Sequence, residues 1–192
     1  MIDDFSNGWE AVAREFIAAR SGVGADVVRT WSLSLPTGAA VLDLGCGAGV
    51  PVSVVLAERG CRLYGIDASP TLVEAWRCRF PDAPVACEAA ESSALFDRRF
   101  DGIVAIGLLF LLDPAAQRSV IARVAAALLP GGRFLFTAPV QAERWNDLLT
   151  GRPSVSLGRE AYRGLLAGSG LQLERESTDE GGNHYFHAVR AG

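Results

Sequence analysis

Two stretches of this sequence combine residue types and spacings that could do chemistry. The first is Val41-Leu42-Asp43-Leu44-Gly45-Cys46-Gly47-Ala48-Gly49, an apolar run of strand character that breaks into three glycines at alternate positions before a helix-like segment resumes. Glycine lets backbone approach a ligand closely, and the N-terminus of a following helix offers unpaired N–H groups. Three glycines also lose more chain entropy on folding than other residues would, so such a turn asks for a reason beyond reversing the chain. The second stretch is Tyr64-Gly65-Ile66-Asp67-Ala68-Ser69, whose Asp67 lies 24 residues beyond Asp43. A carboxylate closing the second of two parallel strands can accept hydrogen bonds from a ribose diol beside the glycine turn. Alone, Asp67 reads more simply as a cap for the segment starting near Pro70, and it is the pairing of the two stretches that points to a site. The spacing G-x-G-x-G differs from the dinucleotide pattern G-x-G-x-x-G, whose last glycine would fall at Val50, and this argues against a pyrophosphate.

Other chemistries are excluded by what is missing. All 18 basic residues are arginine, so no Schiff-base lysine, P-loop lysine or lysine base exists in this chain. The four cysteines, Cys46, Cys61, Cys78 and Cys87, form no C-x-x-C pair and no Cys/His ligand spacing. Neither a metal site nor a disulfide framework is expected, and reduced, mostly buried thiols are. The net charge is −4 with scattered basic residues, which predicts no nucleic-acid footprint. The longest apolar stretch, Ile103 to Leu112, is about half of what a membrane-spanning helix needs. Met1-Ile2-Asp3-Asp4 lacks the basic region of a signal peptide, so the expected location is cytoplasmic.

The elements that must hold these residues alternate in kind. Short β-branched runs at Ala40–Leu44, Arg62–Ile66, Val85–Cys87, Gly102–Ile106 and Arg133–Thr137 are separated by segments of helical period at Val50–Arg59, Thr71–Phe80 and Ala115–Leu129. Strands alternating with helices predict a parallel sheet covered on both faces. Gly60, Pro81 and Pro130-Gly131-Gly132 supply the helix stops. An amphipathic helix over Gly8–Arg20 places Trp9, Val12, Ala13, Phe16 and Ile17 on one face, and a second helix spans Gly24–Trp31. Residues 141–158 are polar and turn-rich; a helix at Arg159–Ala167 follows, and Leu171–Glu176 and His184–Val189 form a closing antiparallel hairpin. At 192 residues the chain fits one domain that buries roughly 70% of its unfolded surface.

These residues resemble the class I S-adenosylmethionine-dependent methyltransferases of small-molecule type. "VLDLGCGAG" is similar to their first motif, "YGIDAS" to their ribose-binding strand end, "CEAAESSALFDRRFDGIVAIGLLFLL" to their third and fourth strands, and "LLPGGRFLF" to their turn into the fifth. The resemblance implies a Rossmann-like, doubly wound α/β fold, with a mostly parallel seven-stranded sheet, a C-terminal antiparallel hairpin and helices on both faces. It divides the single domain into a helical cap (1–36), a cofactor-binding core (37–139), and an insert, helix and closing hairpin (140–192). With S-adenosylmethionine as cofactor, Gly45, Cys46 and Gly47 would line its methionine part and Asp43 would hold the turn. Asp67 would bind the ribose, Ala68 would lie along the adenine, Glu88 would accept from the adenine amino group and Ala89 would add a backbone contact. Ala105 or Ile106 would offer a carbonyl to the ammonium, and Arg20 would face the carboxylate.

Methyl transfer from a sulfonium is an in-line displacement, so the protein must chiefly align the reactants and exclude water. The implied activity is methyl transfer to a small molecule, with no nucleic acid and no membrane as partner. Where many members carry a histidine after the fourth strand, this chain has Leu109-Phe110-Leu111-Leu112. The candidate bases are then His184 and His187, which a strand points to opposite faces. Acceptor recognition is expected from Trp9, Phe110, Arg144 and Trp145, with Arg144 and Arg152 suited to an acidic group. Two alternatives stand beside this reading: a protein that binds the cofactor without catalysis, and an NAD(P)-dependent dehydrogenase. Against the second, the glycine spacing is wrong and the short-chain group's Tyr-x-x-x-Lys pair has no lysine.

Overall fold

Each β-branched run becomes a strand, and each segment of helical period carries the chain back to start the next strand in the same direction, as parallel pairing requires. The computed structural model describes residues 5–192; Met1-Ile2-Asp3-Asp4 lies outside them. The helices are α1 (Trp9–Ala19), α2 (Ala25–Ser32), α3 (Val52–Glu58), α4 (Pro70–Arg79), α5 (Pro114–Ala127) and α6 (Arg159–Gly168). The strands are β1 (Ala40–Leu44), β2 (Arg62–Asp67), β3 (Val85–Cys87), β4 (Phe100–Ala105), β5 (Leu128–Thr137), β6 (Ala142–Asn146), β7 (Pro153–Leu157), β8 (Leu171–Thr178) and β9 (His184–Arg190).

The main sheet has seven strands in the order β3-β2-β1-β4-β5-β9-β8. β1 pairs in parallel with β2 and β4, and β9 is antiparallel to both β5 and β8, so the closing hairpin completes the sheet. One face is packed by α5 and α6 through Val120, Ile121, Val124, Tyr162 and Leu166, the other by α2, α3 and α4 through Trp31, Val55, Leu56 and Trp76. The strand order reverses between β1 and β4, and the crevice above the carboxyl ends of those strands is where an open α/β sheet receives ligands.

Several boundaries differ from expectation. α5 ends at Ala127 and β5 begins at Leu128, so Pro130-Gly131-Gly132 is a bulge within the strand, where the register against β4 shifts, and not a helix stop. The polar stretch 141–158 folds into a separate two-stranded antiparallel sheet, β6–β7. The cysteines are free, but only Cys46 is buried; Cys61 is half-buried, and Cys78 and Cys87 are exposed, which corrects the expectation of mostly buried thiols. Among the described residues no helix is long and apolar enough to cross a membrane, and no group of three or more His, Cys, Asp or Glu is placed to hold a metal.

Candidate active site

The glycine turn owes its composition first to backbone geometry. Gly45, Gly47 and Gly49 have φ of +76°, +53° and +81°, the left-handed region that side chains disfavour. Close packing adds a second reason: a Cβ on Gly45 would lie 3.1 Å from Leu108, one on Gly47 3.2 Å from Phe16, and one on Gly49 2.6 Å from Phe80. The turn's amides are committed internally. Gly45 N and Cys46 N donate to Ile66 O at 2.8 and 3.0 Å, and Gly47 N donates to Asp67 Oδ2 at 2.9 Å. The expected row of unpaired N–H groups is therefore replaced by a bare backbone surface tied to the end of β2.

The two carboxylates sit at adjacent strand ends in different surroundings. Asp43 is buried, and its Oδ2 accepts from Ser53 Oγ at 2.5 Å, which in turn accepts from Trp76 Nε1 at 3.0 Å. Burial pushes the Asp43 carboxyl up to about 7; the Ser53 hydrogen bond and the charge of Arg20 oppose the shift, and the charge of Asp67 adds to it. Asp67 accepts from Gly47 N through Oδ2 and from Ser69 N through Oδ1, both at 2.9 Å. Burial raises its carboxyl too, and the backbone bonds from Ser69, Gly47 and Ala68 work against that. A carboxylate has about four lone-pair sites, so acceptor capacity remains on both oxygens of Asp67.

Between the glycine turn and α1 lies a cavity of about 580 Å³, within the range of small-molecule sites. Asp43, Gly45, Cys46, Gly47, Asp67 and Ala68 form its floor, with Glu88, Ala89, Ile106 and Arg20 around them. α1 is the roof. Its apolar residues Trp9, Val12, Phe16 and Ile17 are only half-buried, and of these Trp9 and Phe16 line the cavity. Ser69 Oγ and Thr71 Oγ1 donate to the Glu10 carboxylate and fasten the roof to the start of α4, while Arg20 Nε donates to Val50 O at 2.8 Å. Ser69 also accepts from Leu72 N, so the cap of α4 is Ser69 and Asp67 is left to face the cavity.

The wall away from β1–β3 comes from three segments. After β4, a short helical turn at Leu109–Leu111 places Phe110 on the cavity, with the Trp145 ring behind it at 5.6 Å. Asn7 Nδ2 donates to Leu111 O at 2.9 Å. Buried Gln117 donates to Leu112 O and Val155 O at 2.9 and 2.8 Å, locking this loop to α5 and β7. Asp113 and Asp147 also line the cavity.

Residues 41–132 match a family model described as a methyltransferase domain. An uncharacterized methyltransferase of Synechocystis is 32% identical over 59% of this chain and 53% of its own length, and the cypemycin N-terminal methyltransferase of Streptomyces is 33% identical over 69% and 56%. The chain thus spans about half the length of the curated relatives it matches, and RNA-directed methyltransferases are among them. In fold, the chain matches the 1,6-didemethyltoxoflavin-N1-methyltransferase of Burkholderia thailandensis with a TM-score of 0.75, at 18% identity, over 96% of this chain and 84% of that one. These matches support a class I S-adenosylmethionine-dependent methyltransferase, on a methyltransferase-domain match over residues 41–132 and a shared fold.

In this structure the residues singled out from sequence separate into two groups. Asp43, Gly45, Cys46, Gly47, Asp67, Ala68, Glu88, Ala89, Ile106, Arg20, Trp9 and Phe110 meet on one cavity. Ala105 is buried in β4 behind it, and Trp145 supports Phe110 without lining it. Arg144 is exposed on β6 and off the cavity. Arg152 is also off it, running beside Gly8.

Neither histidine lines the cavity. His184 Nε2 bonds Glu176 Oε2 at 2.5 Å, and buried His187 bonds Ser177 Oγ at 2.8 Å. Burial drives the His187 imidazole down to about 4, with the charges of Arg175, Arg133 and His184 adding to the shift. The expectation of a histidine base is corrected on geometry: both side chains are taken up within the closing hairpin. Sequence reasoning missed Asn7, Leu108, Asp113, Asp147 and Asn183. Asp113 carried a signal only as the end of an apolar stretch before Pro114, whereas the others depend on loop folding that no periodicity announces.

Proposed function

We propose that this chain transfers the methyl group of S-adenosylmethionine to a small-molecule acceptor. The observation that carries the reading is the single cavity in which the glycine turn, Asp43 and Asp67 share a floor while aromatic residues of α1 and the 109–111 turn face them. The residues fit the cofactor: Gly45 and Gly47 line the cavity with backbone, and the lone pairs left on Asp67 suit a ribose diol. Glu88 stands at the end of β3 where an adenine amino group would reach it, Ala89 lines the cavity beside it, and the Ile106 backbone follows β4. Arg20, anchored through Nε, keeps its terminal nitrogens for a carboxylate.

The cofactor supplies an electrophilic methyl carbon on a cationic sulfur. The protein's part is positioning and enclosure: Asp67 fixes the sugar, buried Asp43 ties β1 to α3 through Ser53 beneath the turn, and Trp9, Phe16 and Phe110 keep water from the reacting atoms. A small acceptor is favoured over nucleic acid by the partly enclosed cavity and by a net charge of −4 with scattered arginines.

The test is incubation with trideuteromethyl-labelled S-adenosylmethionine and either an ultrafiltered cell extract or total RNA, read by mass spectrometry. Labelled small molecules support the proposal. Label confined to RNA contradicts the small-molecule acceptor, and cofactor binding without labelled product contradicts catalysis and leaves a binding protein.

A further inference from the structure

Glu10 follows Trp9 in α1, and its N–H donates to Ser6 Oγ at 2.9 Å; Trp9 and Ser6 line the cavity, whereas Glu10 does not. Its half-buried side chain runs instead to the start of α4. There the carboxylate accepts from Ser69 Oγ, from Thr71 Oγ1 at 2.6 Å and from Thr71 N at 3.1 Å. Thr71 N belongs to the first turn of α4, where an N–H lacks an intrahelical partner and negative charge is favoured.

Capping alone does not call for a carboxylate from another helix. Ser69 already accepts from Leu72 N at 3.2 Å, and an apolar pair would hold α1 to α4 without drawing a charge away from water. The Glu10 charge also acts on the ribose site: burial is the main cause that raises the Asp67 carboxyl, and Glu10 adds to it. What the arrangement supplies is a connection. Ser69 N donates to Asp67 Oδ1 and Gly47 N to Asp67 Oδ2, both at 2.9 Å, while Ser69 Oγ donates to Glu10. One buried serine thus joins the roof to the carboxylate and the glycine turn of the floor. Elsewhere the roof segment is tied by Asn7 Nδ2 to Leu111 O at 2.9 Å and by Arg20 Nε to Val50 O at 2.8 Å, and neither bond ends on a residue bonded to Asp67.

Resting on the methyl-transfer reading above, we propose that Glu10 is a positioning residue that sets the roof over the reacting atoms and couples its placement to an occupied ribose site. A sugar on the remaining lone pairs of Asp67 fixes the carboxylate that orients Ser69, and Ser69 in turn holds Glu10. Such coupling is reciprocal: a roof held by Glu10 strengthens ligand binding by the same factor with which bound ligand favours the seated roof. Because Trp9 and Phe16 of that roof line the cavity, loss of the tie shows chiefly in how long the ligand stays.

The test measures the lifetime of S-adenosylhomocysteine on the immobilised full chain by surface plasmon resonance. Neither Glu10 nor Thr71 lines the cavity, so an effect on that lifetime is transmitted through the roof. Glu10→Ala should speed dissociation at least about tenfold, and Thr71→Val, which removes one donor, about threefold. Both act on one tie, so the double variant should release ligand no faster than Glu10→Ala, whereas independent effects would multiply to about thirtyfold. Glu10→Gln keeps one acceptor oxygen, disturbs folding less and should fall between wild type and Glu10→Ala. A merely structural Glu10 would lower the melting temperature and leave the lifetime unchanged. A wild-type lifetime in Glu10→Ala or in Glu10→Gln overturns the proposal, as does multiplication of the two effects in the double variant. A wild-type chain that takes up no S-adenosylhomocysteine defeats the methyl-transfer reading itself, a failure seen before any variant is compared.

Discussion

Replacing Asp67 by alanine separates cofactor recognition from folding. In wild type, a ligand at 100 times its Kd stabilises the native state by about 2.7 kcal/mol. For a chain of this length that is a rise in melting temperature of roughly 5–10 °C, at about 2–4 °C per kcal/mol. Two ribose hydrogen bonds to a charged acceptor are worth on the order of 3 kcal/mol together, more than a hundredfold in affinity. The variant at the same ligand concentration would then keep roughly 0.3 kcal/mol, a shift of about 1 °C or less. The substitution also takes the acceptor from Gly47 N and Ser69 N, so the unliganded protein should itself melt a few degrees lower. The readout is therefore the difference between scans with and without S-adenosylhomocysteine for each protein. A rise in Asp67→Ala equal to that of wild type would refute the assignment of Asp67 to the sugar, whatever the baseline shift.

Three further predictions follow from the same structure. The Asp43 carboxyl, raised by burial to about 7, holds its proton more tightly in the native than in the unfolded chain, so it makes stability fall as pH rises from about 4 to about 7. That contribution is at most about 4 kcal/mol. Asp43→Asn should flatten that part of the pH profile in denaturant titrations, and an unchanged slope would contradict it. Gly49→Ala combines a left-handed φ with a Cβ 2.6 Å from Phe80 and should cost about 2–4 kcal/mol, whereas Gly107→Ala, at φ +74° but with open space around it, should cost about 1 kcal/mol; equal losses in urea melts would remove the packing argument. His184→Ala should leave the rate of label transfer within about twofold of wild type, since its ring bonds Glu176 and not the cavity, and a loss of about a hundredfold would restore histidine catalysis.

What the sequence disclosed, and what it hid, follows from how each feature is encoded. The β1–α3 turn was legible because only glycine tolerates its three positive φ angles, and Asp67 because parallel pairing with β1 fixes where β2 ends. The period of two correctly sent His184 and His187 to opposite faces of β9, yet it says nothing about partners. Asn183, next in line, reaches the cavity, while His184 turns to Glu176. The β6–β7 hairpin escaped notice because four of the five residues of β6 are exposed, leaving no alternation to detect. That omission hid Asp147 and left Arg144 as the conspicuous charge of the insert. Asp113 stood in the sequence only as the end of an apolar stretch before Pro114, and the folding of the 106–113 loop is what brings it to the cavity.

On the proposed function, the floor formed by the glycine turn and Asp67 holds a nucleoside amino acid. Isothermal titration of the purified protein with S-adenosylhomocysteine should then give the heat of a one-to-one complex with a Kd on the order of micromolar, about −8 kcal/mol, weakened at least a hundredfold in Asp67→Ala. An absence of binding heat at several temperatures, from protein shown to be folded, would contradict it.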